Sequence, residues 1–298
     1  MKSTHMKGYL FIIISAVIFG CMPLGAKVIY ADGVNSITLV FLRNFLALPV
    51  LAVLAKKTGG TLAISRDALK EISLIALFGC CITPILLFTS YNYISSGTAT
   101  VFHFIYPAAT VLGSALFLRE KVGRGPLVCI LICTGGIALF YDPGEPINLF
   151  GSAVALLSGI TYAAYIILLA RCRHKEIAGF KFSFYVASVS SVVLFLVCVC
   201  SGQLRLPTRL SIWVISFVFS FALSVGAVVL FQMGTFFIGG QRAAILSTCE
   251  PITSLVVGYF AFHEAVGVRT LVGSFFVVLA AILIAVFDSK GEKKAAVQ

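Results

Sequence analysis

Twice in this chain, 144 positions apart, an apolar run of membrane-spanning length carries a proline near its middle and a glutamate at its end. The runs are ATVFHFIYPAATVLGSALFLRE, Ala99 to Glu120, and AAILSTCEPITSLVVGYFAFHE, Ala243 to Glu264. Pro107 falls on Pro251, Glu120 on Glu264, Val122 on Val266, Gly123 on Gly267 and Leu127 on Leu271. Hydrophobicity alone does not keep Pro and Glu in register over such an offset, so the chain reads as an internal duplication. The expected halves are residues 1–142 and 143–298, joined at Asp142–Pro146 (DPGEP).

Each run must be placed in a solvent before anything else is inferred. The chain is 60% hydrophobic and 11% charged, with a mean hydropathy of +1.06, whereas soluble domains carry about a quarter charged residues. A spanning helix needs about 20 apolar residues. That measure gives ten, over 8–30, 36–55, 72–94, 97–118, 126–141, 151–170, 180–200, 210–231, 240–262 and 268–287, the fifth being short. The expected fold is all-α and membrane-integral, two five-helix repeats with both termini cytoplasmic. The first apolar run is too long for a signal-peptide core. MKSTHMK is set aside because Met6 offers a second start.

The net charge of +11 is then a topology signal. Of 22 Lys and Arg, 17 fall in segments on the N-terminal side of the membrane. Arg205, Arg209 and Arg269 fall on the other side, and Lys27 and Arg43 lie within helices. The positive-inside rule puts the 17 in the cytoplasm, and no nucleic-acid partner is expected. Five spans per half make the second repeat enter upside down, an arrangement of secondary transporters whose substrate sits near the midplane between repeats. Most of the nine cysteines lie inside apolar runs and read as packing residues. The chain contains no N-x-S/T acceptor site, which points towards a bacterial inner membrane.

Polar side chains inside such helices must face protein or water. His103, Tyr106, Pro107, Thr110 and Ser114 share one face of the fourth helix, and Ser247, Glu250, Pro251, Ser254 and Gly258 one face of the ninth. The small residues suit a packing seam, so the site is expected at Arg43, His103, Tyr106, Tyr162, Ser247 and Glu250. Glu250 lies about ten residues, ~15 Å, from the end of its helix, where it can carry a proton, bind an amine or pair with Arg43. Arg43 can fork onto an anionic substrate group or be that partner. Pro107 and Pro251 are expected kinks. Each removes its own N–H and frees the carbonyl four residues back, at His103 and Ser247. Pro23, Pro49 and Pro84 are read the same way.

The two motifs, with a small residue at Ala99 and Ala243, Pro107 and Pro251, Glu120 and Glu264, and a Gly beyond, resemble the drug/metabolite transporter superfamily in its ten-helix EamA type. The Glu250-Pro251 pair and the Arg43-led LRNFLALPVLAVLA are similar to that family as well; His103 stands where its members carry a small or apolar residue. The resemblance covers the whole chain and implies a secondary transporter of a small metabolite. With both Arg43 and Glu250 available, an amino acid or another amphoteric compound suits the site. The expected partners are that solute, the bilayer and protons as coupling ion; no cofactor or metal is expected. A lipid or lipid-carrier flippase is the alternative. An enzyme is not expected: His263-Glu264 opens like the zinc motif H-E-x-x-H, but position 267 is Gly.

Overall fold

In the computed structural model, residues 2–90, 92–94, 96–118, 123–139, 148–177, 179–262 and 267–295 are described. Among them every regular element is helical. Their order is α1 (His5–Tyr30), α2 (Ser36–Gly59), α3 (Arg66–Ser90), α4 (Ser96–His103, then Tyr106–Leu118), α5 (Arg124–Ala138), α6 (Leu149–Arg171), α7 (Gly179–Cys200), α8 (Leu210–Ile238), α9 (Gly240–Leu246, Ser247–Cys249 and Glu250–Phe262) and α10 (Val268–Ala295). Seven of these, α1 to α4 and α6 to α8, are long and apolar enough to cross a membrane; α5 and Leu271–Ala280 are shorter apolar helices. Leu131, Val192, Phe260 and Phe275 are each more than 60% exposed, which lipid tolerates and water does not. The join at Asp142–Pro146, Glu120, Glu264 and the His263-Glu264 pair lie outside the described residues.

Helix starts follow from local chemistry. Asn35, Ser65 and Asn148 cap α2, α3 and α6 by accepting the N–H groups of Thr38, Ala68 and Gly151 at 2.8, 3.1 and 2.9 Å, satisfying donors a helix cannot pair internally. Two boundaries depart from the sequence reading. α3 begins at Arg66 rather than residue 72, because Ser65 caps an amphipathic first turn that hydropathy alone leaves out. α8 continues to Ile238 rather than 231: Gln232 is buried and accepts the Ser183 hydroxyl of α7 at 2.5 Å, so its polarity marks a contact and not an end. Gly239, at φ +81°, then reverses the chain into α9.

Proline-linked breaks recur along the bundle. α1 is interrupted at Cys21 ahead of Pro23, α2 at Leu46–Ala47 ahead of Pro49, and α4 at Phe104–Ile105 ahead of Pro107. α9 passes through a 3₁₀ turn, Ser247–Cys249, ahead of Pro251. α3 and α8 instead widen into π-helix, over Leu77–Ile82 and Phe221–Ala227. The two π segments begin 144 residues apart, so the duplication extends to backbone irregularities.

Packing carries the same signature. α1 lies along α8 and α9, α6 along α3 and α4, α2 against α7, and α5 against α10. Exchanging each helix for its counterpart five places on leaves these pairings unchanged.

Candidate functional site

A cavity opens where α1, α2, α3, α4, α6, α8 and α9 converge. Phe19 and Met22 of α1, Arg43, the Gly79-to-Phe88 stretch of α3, His103, Tyr162, Tyr165, Val228, Phe231 and Glu250 line it. Measured at the centres of water-sized spheres it holds about 80 Å³. One water needs roughly 10–15 Å³ on that measure, so a few waters or a small solute fit. Two wall residues of α3 and two of α8 are repeat equivalents, Pro84 with Val228 and Leu87 with Phe231, each 144 apart. The cavity therefore sits on the relation between the halves.

Its polar wall is built by helix breaks. The kink in α2 leaves the Arg43 carbonyl to side-chain donors, and it accepts the hydroxyls of Ser220 and Ser224 at 2.6 and 2.9 Å. Those serines sit beside and within the π segment of α8, so α8 fixes the Arg43 backbone. The Arg43 side chain is 7% exposed, and its Nε has no hydrogen-bond partner among the described residues. No ion pair within 4.0 Å joins Arg43 to Glu250 among the described residues. Glu250 is partly exposed and lines the same cavity. A guanidinium with a buried, unbonded Nε facing a cavity is a fork on which an anionic group can dock.

The remaining expected site residues divide into two groups. His103 lines the cavity, and its Nδ1 lies 2.8 Å from the Ser158 hydroxyl, which itself donates to the Ala155 carbonyl at 2.6 Å. With that hydroxyl committed, the geometry favours Nδ1–H donating to Ser158 Oγ, which leaves Nε2 as an acceptor. Tyr162 also lines the cavity, edge-on to Tyr106 at 4.8 Å between ring centres and stacked on Tyr165 at 5.5 Å. Tyr106 and Ser247, by contrast, are not among the lining residues. The Tyr106 hydroxyl and Ser247 Oγ bond each other at 2.7 Å, joining the two broken helices behind the wall. Thr110 and Ser114 are buried, Thr110 bonding the Tyr106 carbonyl at 2.7 Å. The side chains of Ser254 and Gly258 lie outside the described ones.

Of the two carbonyls expected to be freed, that of Ser247 is not free, since it accepts the Glu250 N–H in the 3₁₀ turn, and that of His103 has a close protein neighbour. A methyl on Gly159 of α6 would run into the His103 carbonyl, and one on Gly20 of α1 would stand 2.7 Å from the Glu250 carbonyl. These two glycines let α6 and α1 press against the breaks in α4 and α9. Face counting along the sequence misses Gly79, Cys80 and Thr83, because the π segment of α3 turns them towards the cavity. Gly79 has a readable trace in hindsight: only a residue without a side chain lets the Tyr165 ring lie against α3.

A bundle with lipid-facing apolar surface, two like-built halves and a charged cavity between them is a polytopic membrane protein of the transporter class. The sequence signature of the EamA-like transporter family matches residues 6–141 and again 149–286, and the chain belongs to that family. It is similar to an uncharacterized transporter of Archaeoglobus fulgidus, 26% identical over 279 residues that cover 90% of this chain and 98% of the relative. It is also similar to the uncharacterized inner membrane transporter YicL of Salmonella typhimurium, 25% identical over 99% of this chain and 100% of that one. A solved crystal structure shares the fold at a TM-score of 0.75, covering 96% of this chain and 98% of its own, at 14% identity.

Proposed function

We propose that this protein is a secondary-active carrier of a small amphoteric metabolite, of the amino-acid type, working by alternating access across ten transmembrane helices in two inverted repeats. The observation that carries the reading is the cavity itself. It presents the Arg43 guanidinium, with an unbonded Nε, and the Glu250 carboxylate, with no ion pair between them among the described residues, in one small chamber between the repeats. A solute bearing both an anion and an amine answers both groups and takes the place of an ion pair between them.

Two cross-bundle contacts support the ten-helix topology with α5 as a full span. Asp32, after α1, bonds Thr208, before α8; Glu71, at the start of α3, bonds Arg173, after α6. Residues in contact share a membrane face, so an even number of crossings must separate each pair. Counting α5 gives six and four; omitting it gives odd numbers. With five crossings per half, the second repeat is inverted and both termini share one face, the cytoplasmic one by the positive-inside bias. The YicL relative's name places that protein in an inner membrane, and we place this chain there too.

Glu250 is the proposed proton carrier, since a carboxylate in the cavity can change its charge between the two facing states. Purified protein in liposomes tests the function: uptake of radiolabelled amino acids against a concentration gradient under an imposed pH gradient is expected. Transport of lipid analogues in place of water-soluble solutes would contradict it and leave the flippase reading.

A further inference from the structure

Two acidic residues tie the halves together at opposite ends of the bundle. Asp32, in the turn between α1 and α2, accepts the Thr208 N–H at 2.7 Å, the Thr208 hydroxyl at 2.9 Å and the Arg209 N–H at 3.4 Å. The Arg209 Nε lies 3.5 Å away. These groups form the start of α8. Glu71, in the first turns of α3, accepts the Arg173 N–H at 3.0 and 3.2 Å and faces the His174 Nδ1 at 2.7 Å. These lie just past the end of α6. Asp32 and Glu71 are separated by all of α2, whose 24 residues rise about 36 Å, so the two contacts lie on opposite faces.

The pairs they join are α1 with α8 and α3 with α6, and all four helices wall the cavity. Exchange of the halves carries one pair into the other. Each contact has similar chemistry: one carboxylate accepts main-chain N–H from the other half, two groups at Asp32 and one at Glu71, and faces a side-chain nitrogen there. The equivalence is one of elements and not of residues, since the acid sits in the turn in one case and on the helix in the other. Asp32 is the tighter of the two, with its side chain 5% exposed against 27% for Glu71.

Resting on the alternating-access reading above, we propose that Asp32 and Glu71 are the gate residues of the transport cycle, each holding one end of the cavity shut. Opening towards a face breaks the contact on that face and keeps the other. Both are made in this structure, so α1–α8 and α3–α6 are closed together. A charged acceptor with several donors suits this task. It is strong while formed, and its parts are readily hydrated at the membrane surface once apart.

Cys80 supplies a reporter, being a free thiol, 3% exposed, in the cavity wall. With the other eight cysteines replaced, its reaction with a membrane-impermeant methanethiosulfonate is followed in right-side-out and inside-out vesicles. Asp32→Ala should raise the rate from the Asp32 face about tenfold, the factor for losing one charge-assisted hydrogen bond, and not from the other face. Glu71→Ala should do the converse. Asp32→Asn and Glu71→Gln, which keep shape and one acceptor, should show the same pattern at smaller size and carry the test if an alanine variant does not fold. Trp213, the single tryptophan, bonds the Pro207 carbonyl next to the Asp32 contact at 3.1 Å. Its emission should change with the Asp32 variants and not with those at Glu71. If Cys80 is reached from both faces but no variant biases the side, the gate assignment is wrong. If it is reached from only one face in every variant, alternating access itself fails.

Discussion

Arg43 and Glu250 line the cavity, and their exchange for near neighbours separates the proposed binding role from the proposed coupling role. Arg43→Lys keeps the charge and loses the fork, so solute binding should weaken about tenfold or more while the melting temperature stays near that of the wild type. A large drop in melting temperature with unchanged affinity would make Arg43 a structural residue. Glu250→Gln fixes the neutral form at almost constant shape. It should abolish uptake driven by a pH gradient yet keep exchange between equilibrated compartments; accumulation by this variant under a pH gradient alone would remove Glu250 from the coupling role. At the membrane surface, the Thr208 main-chain N–H, with the Thr208 hydroxyl, the Arg209 N–H and the Arg209 guanidinium, outweighs desolvation and holds Asp32 below the ordinary aspartate value of 3.8. A folded-state value below the unfolded one contributes stability that is present above pH 3.8 and lost as the pH falls through the folded value. The gap in melting temperature between wild type and Asp32→Asn should therefore be full at pH 7 and close below pH 3.8. Both charged cavity residues were legible in the sequence, because a charge inside an apolar run has few reasons to be there. The Tyr106–Ser247 hydrogen bond was not legible, because spacing along one helix places a residue on a face and does not name its partner on another helix.

At the level of elements, the breaks in α4 and α9 are held by close approach and not by proline alone. Gly159→Ala and Gly20→Ala each insert a methyl against a carbonyl, at His103 and Glu250, and overpacking of this kind costs about 1–3 kcal/mol. Both should lower the melting temperature, whereas Gly135→Ala, with open space around its Cβ, should not. Equal behaviour of all three would mean that the contacts with α6 and α1 bear no load. The helices themselves were legible, since twenty apolar residues in a row have one outcome in a bilayer. The π segments of α3 and α8 were not, because neither LFGCCI nor FALSVGA announces a widened turn, and each rotates the facing of the helical residues beyond it. The gate contacts were equally hidden: Asp32 meets Thr208 across 176 residues and Glu71 meets Arg173 across 102, distances no local pattern encodes.

For the molecule as a whole, duplication is the organising fact. It appears in the motifs, in the π segments that begin 144 residues apart, in the pairing of helices and in the equivalent residues on two cavity walls. The proposed inverted topology has a direct check. A cysteine at Ser201, in the exposed turn after α7, should react with an impermeant thiol reagent added outside intact cells, and one at Thr61, exposed after α2, should not; the reverse pattern would turn the bundle over. The central claim, that the cavity takes an amphoteric solute between Arg43 and Glu250, is tested most directly by thermal stabilisation of the purified protein. An amino acid that binds raises the melting temperature by mass action. Its methyl ester, lacking the anion, and its N-acetyl derivative, lacking the cation, should each lose that shift, and Arg43→Lys should lose it for the parent compound. Stabilisation by ester, N-acetyl and parent compounds alike, undiminished in Arg43→Lys, would contradict the account.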